Sequence, residues 1–143
     1  MWTSEYTLSS AATPEELWRL LSDVNGWVAW NDGIETIGLN GPLAVGATFQ
    51  MKPPGEEVLT STIAELEENR LLTDVTDMGE LVIRVAHQLR PLAGGGTSVT
   101  YRVEVTGPAA QSQGEQVGLA ISADFPQVIA ALVAAAEANG ERG

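Results

Sequence analysis

The chain has 143 residues, 44% of them hydrophobic, which suits one domain spanning residues 1–143 with enough apolar material for a sizeable core. It has no cysteine and a single histidine, so disulfides, thiolate metal centres, cysteine nucleophiles and a histidine-rich metal site are excluded. A formal charge of −12, from seven Lys and Arg against 19 Asp and Glu, repels phosphate backbones and anionic head groups, so nucleic acid is not an expected partner.

In chain order, Trp2, Ser4, Tyr6 and Leu8 alternate with Thr3, Glu5 and Thr7, the two-residue period of a half-buried strand. Thr13-Pro14-Glu15-Glu16 then reads as a helix start: Thr13 caps, Pro14 suits the first helical position and Glu16 completes a capping box. This predicts a short helix to about Ser22 that buries Leu17, Leu20 and Leu21. In the stretch from Asp23 to Asn31, Trp27 and Trp30 are three apart, which predicts a second helical turn with both indoles on one side.

From Ile34 onward the pattern is that of strands, interrupted at Asn40-Gly41-Pro42, Pro53-Pro54-Gly55, Glu68-Asn69, Met78-Gly79 and Ala93 to Gly96. Six further strands follow, near 34–39, 45–52, 57–66, 70–77, 80–90 and 97–106. Spacing this close leaves no room for helical crossovers, so consecutive strands pair as antiparallel hairpins. Leu81, Ile83, Val85, His87 and Leu89 share one face of the sixth strand. Val99, Tyr101, Val103 and Val105 share the matching face of the seventh.

Between about Gly114 and Asn139 the period changes to about 3.6, with Val117, Ile121, Phe125, Val128 and Leu132 forming an apolar stripe. This is one long helix, and Pro126, which cannot donate to the carbonyl of Ser122, predicts a kink. One apolar sheet face and one apolar helix stripe bury each other. The expected class is therefore α+β: a curved seven-stranded antiparallel sheet around a long C-terminal helix, with two short helices after strand 1.

No window holds the roughly 18 uninterrupted apolar residues of a membrane span, and no basic start precedes an apolar run at the N-terminus. The expectation is a cytoplasmic protein without membrane insertion; nothing in the pattern specifies an oligomeric state. Gly94-Gly95-Gly96 lies between two strands and reads as a hairpin turn, so no phosphate loop is present, and neither a Gly-x-Ser-x-Gly elbow nor an EF-hand spacing occurs. Neither a metal nor another cofactor is expected.

Strand alternation places His87 on the face that looks at the helix. With an ordinary pKa near 6.5, an imidazole there could act as general acid or base, or donate to a ligand carbonyl. It could equally be a neutral core histidine satisfied by a neighbouring carbonyl. Tyr101 faces the same space and could orient a ligand or simply pack its ring; Tyr6 is a weaker case. Phe49 and Met51 alternate with Thr48 and Gln50 and line a cavity or pack on the helix, as do Val85, Phe125 and Ile129. Asp32 and Asp74 are the carboxylates whose inward location would complete an acid/base pair with His87, and the pattern leaves their facing open.

The order strand, two short helices, six strands and one long helix resembles the helix-grip proteins of the SRPBCC (START-like) superfamily. Thr13-Pro14-Glu15-Glu16-Leu17-Trp18, Leu21-Ser22-Asp23, Trp27 and Trp30-Asn31 are similar to the opening of its polyketide cyclase/dehydrase branch. Thr62-Ile63-Ala64-Glu65-Leu66-Glu67, Gly95-Gly96-Thr97-Ser98-Val99-Thr100-Tyr101 and Asp124-Phe125-Pro126 extend the resemblance over essentially the whole chain. These motifs are structural. The resemblance implies that Trp27 and Trp30 sit at the helical corner closing the cavity entrance, where they could stack on a flat ligand or pack in the core. It implies a small hydrophobic or aromatic molecule as partner, bound between sheet and helix. Two alternatives stay open: a cyclase/dehydratase-type enzyme with His87 and Tyr101 as catalytic candidates, and a protein-interaction domain like the chaperone-activator branch.

Overall fold

A computed structural model describes residues 1–142, with side chains through Asn139. Strand β1 (Trp2–Ser10) leads through α1 (Pro14–Leu21) and a 3₁₀ turn (Val24–Ala29) to β2 (Thr36–Asn40), β3 (Thr48–Lys52), β4 (Leu59–Glu67), β5 (Leu71–Asp77), β6 (Val82–Pro91) and β7 (Thr97–Thr106). Helices α2 (Ala110–Ser122) and α3 (Phe125–Arg142) follow. All strands join one antiparallel sheet in the order β1-β7-β6-β5-β4-β3-β2. The meander expected from the turn spacing is present, and β1 closes onto β7, the strand that ends the meander.

The local signals act as their chemistry dictates. The Thr13 hydroxyl accepts from the Glu16 amide, and the Glu16 carboxylate accepts from the Thr13 amide. That box satisfies two amides that the first turn of α1 would otherwise leave open, and it holds the Glu16 carboxyl below its usual range. Leu17, Trp18 and Leu21 are the buried face of α1. The third strand begins at Thr48, later than expected, because Gly46 has φ 93 and the chain still turns there.

The long helix is two helices. The expected kink at Pro126 is a break at Ala123 and Asp124, because the carbonyl of Ser122 has no donor four residues on, and helical bonding resumes with the Val128 amide donating to Asp124. The helix also begins at Ala110, four residues earlier than its apolar stripe suggests. Taken together, Ala110–Asn139 is long and apolar enough by composition to cross a membrane; in the fold it is bent, and α2 and α3 lie on β1 and β7. The seat on β1 is made by two glycines. Gly118 receives the Trp2 indole and Gly114 its Cβ, and a Cβ at Gly118 would collide with that ring. Ile129, Leu132 and Ala136 of α3 are completely buried, as are Val99, Val103 and Val105 of β7, whereas Val117, Ile121 and Val128 are half-buried.

Candidate functional site

Register decides which side chains meet on the concave face. The pairs His87↔Tyr101, Val85↔Val103 and Ile83↔Val105 put the inward set of β6 beside that of β7, as expected. On the other side, Leu72↔His87 and Asp74↔Val85 put Leu72, Asp74 and Thr76 of β5 on the same face. Asp74 therefore points inward. In β4 the register shifts between Ile63 and Glu65, so both Ile63 and Leu66 can face the core although they are three apart.

Above this strip the rings form a continuous row. Phe49 meets Trp27 edge-on at 5.7 Å between centroids, Trp27 lies 5.6 Å from His87, His87 meets Tyr101 at 4.5 Å and Tyr101 meets Phe125 at 5.6 Å. Such edge-to-face pairs contribute about 0.5–1.5 kcal/mol each beyond burial. The Trp27 indole is fixed by donating from Nε1 to the Leu21 carbonyl at 2.9 Å. The two tryptophans expected on one side are separated. Trp27 is in the core, and half-buried Trp30 lines a recess of about 260 Å³ with Asn31, Asp32, Gly33, Asp124, Gln127 and Val128. Asp32 is exposed at this rim and not part of the inner site.

The polar end of the row is His87 with Asp74 and Tyr101, which are 6%, 8% and 3% exposed. His87 Nδ1 lies 2.8 Å from the Leu72 carbonyl, and because a carbonyl only accepts, Nδ1 carries the hydrogen. Nε2 is then a bare lone pair, 3.9 Å from Oδ2 of Asp74, too far for a hydrogen bond. Among the described residues Nε2, the Asp74 carboxyl oxygens and the Tyr101 hydroxyl have no hydrogen-bond partner. Yet no side-chain polar atom there is both unpaired and fully sealed. Each of these groups is therefore reachable by water.

Burial acts on all three in the direction of neutrality. It pushes the Asp74 carboxyl up to about 7. It pulls the His87 imidazole down to about 4, against the bond to Leu72, which favours the charged ring. Burial, helped by Asp74 and Asp124, raises the Tyr101 hydroxyl far above its ordinary value, and partial burial also raises Asp124. Between about 4 and 7 the His87–Asp74 pair is two neutral groups and not a salt bridge. The near-neutral titration expected of His87 belongs to Asp74.

Of the other expected lining residues, Met51 and Val85 are half-buried on the concave face, Phe49 and Phe125 belong to the ring row, and Ile129 is sealed in the core. Tyr6 pairs with Tyr101 across β1 and β7 but is 38% exposed. Ile37 and Leu39 of β2, not singled out by the sequence, share the face of Met51 and Phe49 and are half-buried. Their signal was only a short alternation around Gly38.

The curved antiparallel sheet and the bent C-terminal helix that lies on it agree with what comparison of the sequence finds. The profile of the family described as "Polyketide cyclase / dehydrase and lipid transport" matches residues 1–137. The chain belongs to this family. Three solved structures show how far the family fold extends. A START superfamily protein from Mycobacterium smegmatis matches with TM-score 0.73 at 17% identity, over 94% of this chain and 97% of that one. A protein of Mesorhizobium loti matches with TM-score 0.72 at 20% identity, over 92% and 93%. The di-domain ARO/CYC StfQ of the steffimycin biosynthetic pathway matches with TM-score 0.76 at 15% identity, over 97% of this chain and 51% of that one. No curated protein matches by sequence. At these identities the likeness is one of fold, and this member of the polyketide cyclase/dehydrase and lipid-transport family must be read from its own residues.

Proposed function

We propose that the protein binds one small hydrophobic or aromatic molecule between the concave face of the sheet and the bent helix. Its apolar body would lie against Met51, Val85 and the ring row, and its polar end would lie at His87, Asp74 and Tyr101. The observation that carries this reading is the meeting of three largely buried polar groups that have no protein partner and are still reachable by water. Water can reach these atoms, and a ligand's polar end can take over those hydrogen bonds while its apolar body is buried against the ring row. The family's description, which includes lipid transport, supports the same class of partner.

A thermal-shift panel of sterols, fatty alcohols and aromatic polyphenols tests it. A ligand at a hundredfold excess over its Kd stabilises by about 2.7 kcal/mol, a readily measured rise in Tm. No rise with any class at high excess would reject the proposal.

One observation favours a second reading, an enzyme that moves a proton at an enolisable carbon. A carboxyl held at about 7 is suited to general acid/base work at neutral pH, and Asp74 is such a group 3.9 Å from the His87 ring. In that reading Asp74 is the proton-transfer group, His87 holds the substrate and Tyr101 donates to the developing oxyanion. Full turnover by the Asp74→Asn variant on a substrate of the wild type would reject it. The interaction-domain alternative has less support: the exposed large apolar side chains among the described residues, Met1, Tyr6, Val28, Val45, Val58, Met78, Leu92 and Leu119, fall on different loops and elements.

A further inference from the structure

We infer that the molecule held at this site presents an uncharged hydroxyl to His87 and Asp74, and not a carboxylate, a phosphate or an ammonium group. The inference rests on the ligand-carrying reading above and narrows it to a class of head group.

His87 Nδ1 has its hydrogen committed to the Leu72 carbonyl, so Nε2 offers a lone pair and requires a donor. Nε2 and Asp74 Oδ2, 3.9 Å apart, do not bond to each other. A single oxygen placed roughly 2.8 Å from both would bond to each. The Tyr101 hydroxyl, packed against the His87 ring, adds a group that can donate or accept. An alcohol or phenol donates its one hydrogen to Nε2 and accepts from the protonated Asp74 carboxyl or from Tyr101. The unpaired groups are then used and no charge is buried.

Anionic heads meet the opposite situation. Lys52 is turned to Glu35, Arg70 to Glu67, Arg84 to Glu65 and Arg102 to Glu5 and Glu104, while Arg19 and Arg90 are exposed. Among the described residues no cation faces the site, and Asp124, whose charge acts on Tyr101, carries the same sign as the incoming anion. A carboxylate would be stripped of water beside an acceptor and an acid, with no counter-charge. An ammonium group would gain one carboxyl that burial already drives toward neutrality, and Nε2 could take only one of its hydrogens.

Isothermal titration of 2-naphthol, 2-naphthoate and protonated 2-naphthylmethylamine into the full chain at about pH 6 separates the cases, since only the head group differs in charge there. The expected result is naphthol binding at least about tenfold more tightly than either charged probe. In Asp74→Asn, checked for its fold by circular dichroism, the naphthol-to-naphthoate ratio should shrink about threefold or more, because the amide offers the anion two donors where the protonated carboxyl offers one. Equal or tighter binding of naphthoate or of the amine, or a ratio unchanged in Asp74→Asn, would overturn the head-group inference and leave ligand carriage intact. Binding of none of the three would overturn carriage itself.

Discussion

The two sides of the concave face are built by different rules. Over β7 the helices seal the sheet. Val99, Val103, Val105, Ile129 and Leu132 have essentially no exposure, and the buried hydroxyls are paired, Thr97 with the Ala12 carbonyl and Ser10 with Glu137. Over β5 and β6 the same sheet, at the same depth, holds Asp74 and His87 beside Tyr101 of β7, with polar atoms unpaired. The first side shows what this chain does where only stability is at stake. The second departs from that rule within two strands' width, and it is at this local departure that the proposed ligand site lies.

The largest expected effect would sharpen this contrast on the open side. Asp74 has its folded pKa raised to about 7, so its contribution to stability is complete below its unfolded value near 3.8 and is lost as pH rises through 7. Asp74→Asn should therefore be more stable than wild type by on the order of 4 kcal/mol at about pH 8, with the difference vanishing near pH 4 in urea unfolding. His87 has the opposite slope: its folded pKa is depressed to about 4, so stability falls as pH drops from its unfolded value near 6.5. In the wild type the two slopes oppose one another between about 4 and 6.5, and Asp74→Asn should expose that of His87 as a loss on acidification. A pH-independent effect of the substitution would contradict the burial of Asp74 as a titrating group.

On the sealed side, Leu132→Ala should cost about 3 kcal/mol at every pH, read from the same unfolding curves, because it leaves a cavity without touching a titrating group. Gly118→Ala should cost about 2 kcal/mol, since the new methyl meets the Trp2 ring, and the near-ultraviolet circular dichroism should change as the indole shifts. The smallest effect returns to the open side. Val85→Trp should cost under about 1 kcal/mol in thermal unfolding, where overpacking a sealed core costs about 1–3 kcal/mol, because the half-buried side chain can extend into open space. A cost equal to that of overpacking Val105 would erase the distinction between the two sides.

Most of the fold could be read from the sequence because its signals are local. Glycine and proline turns separate the strands, alternation puts His87 and Tyr101 on one face, and a change of period announces the helix. What was not legible depends on partners distant in the chain. Adjacent Leu71 and Leu72 let β5 be read in either phase, and the more apolar phase, Leu71 with Thr73 and Val75, would have turned Asp74 outward; pairing with β6 fixes the other. The irregularity in β4 and the seat of Trp2 on Gly114 and Gly118 likewise arise only when elements meet. His87 was the obvious proton carrier by residue type, but its pKa is set by burial, while Asp74 acquires the near-neutral value. A residue's chemistry at the site followed from its surroundings more than from its identity.

Native mass spectrometry of the purified full chain and of Val85→Trp, each incubated with the ligand that gives the largest thermal shift, tests most directly whether the concave face beside Asp74 and His87 is a binding site. The wild type should retain one ligand per chain, and the variant, with an indole occupying that face, should retain none. A wild type that carries no adduct, or a variant that carries the same adduct as the wild type, would contradict it.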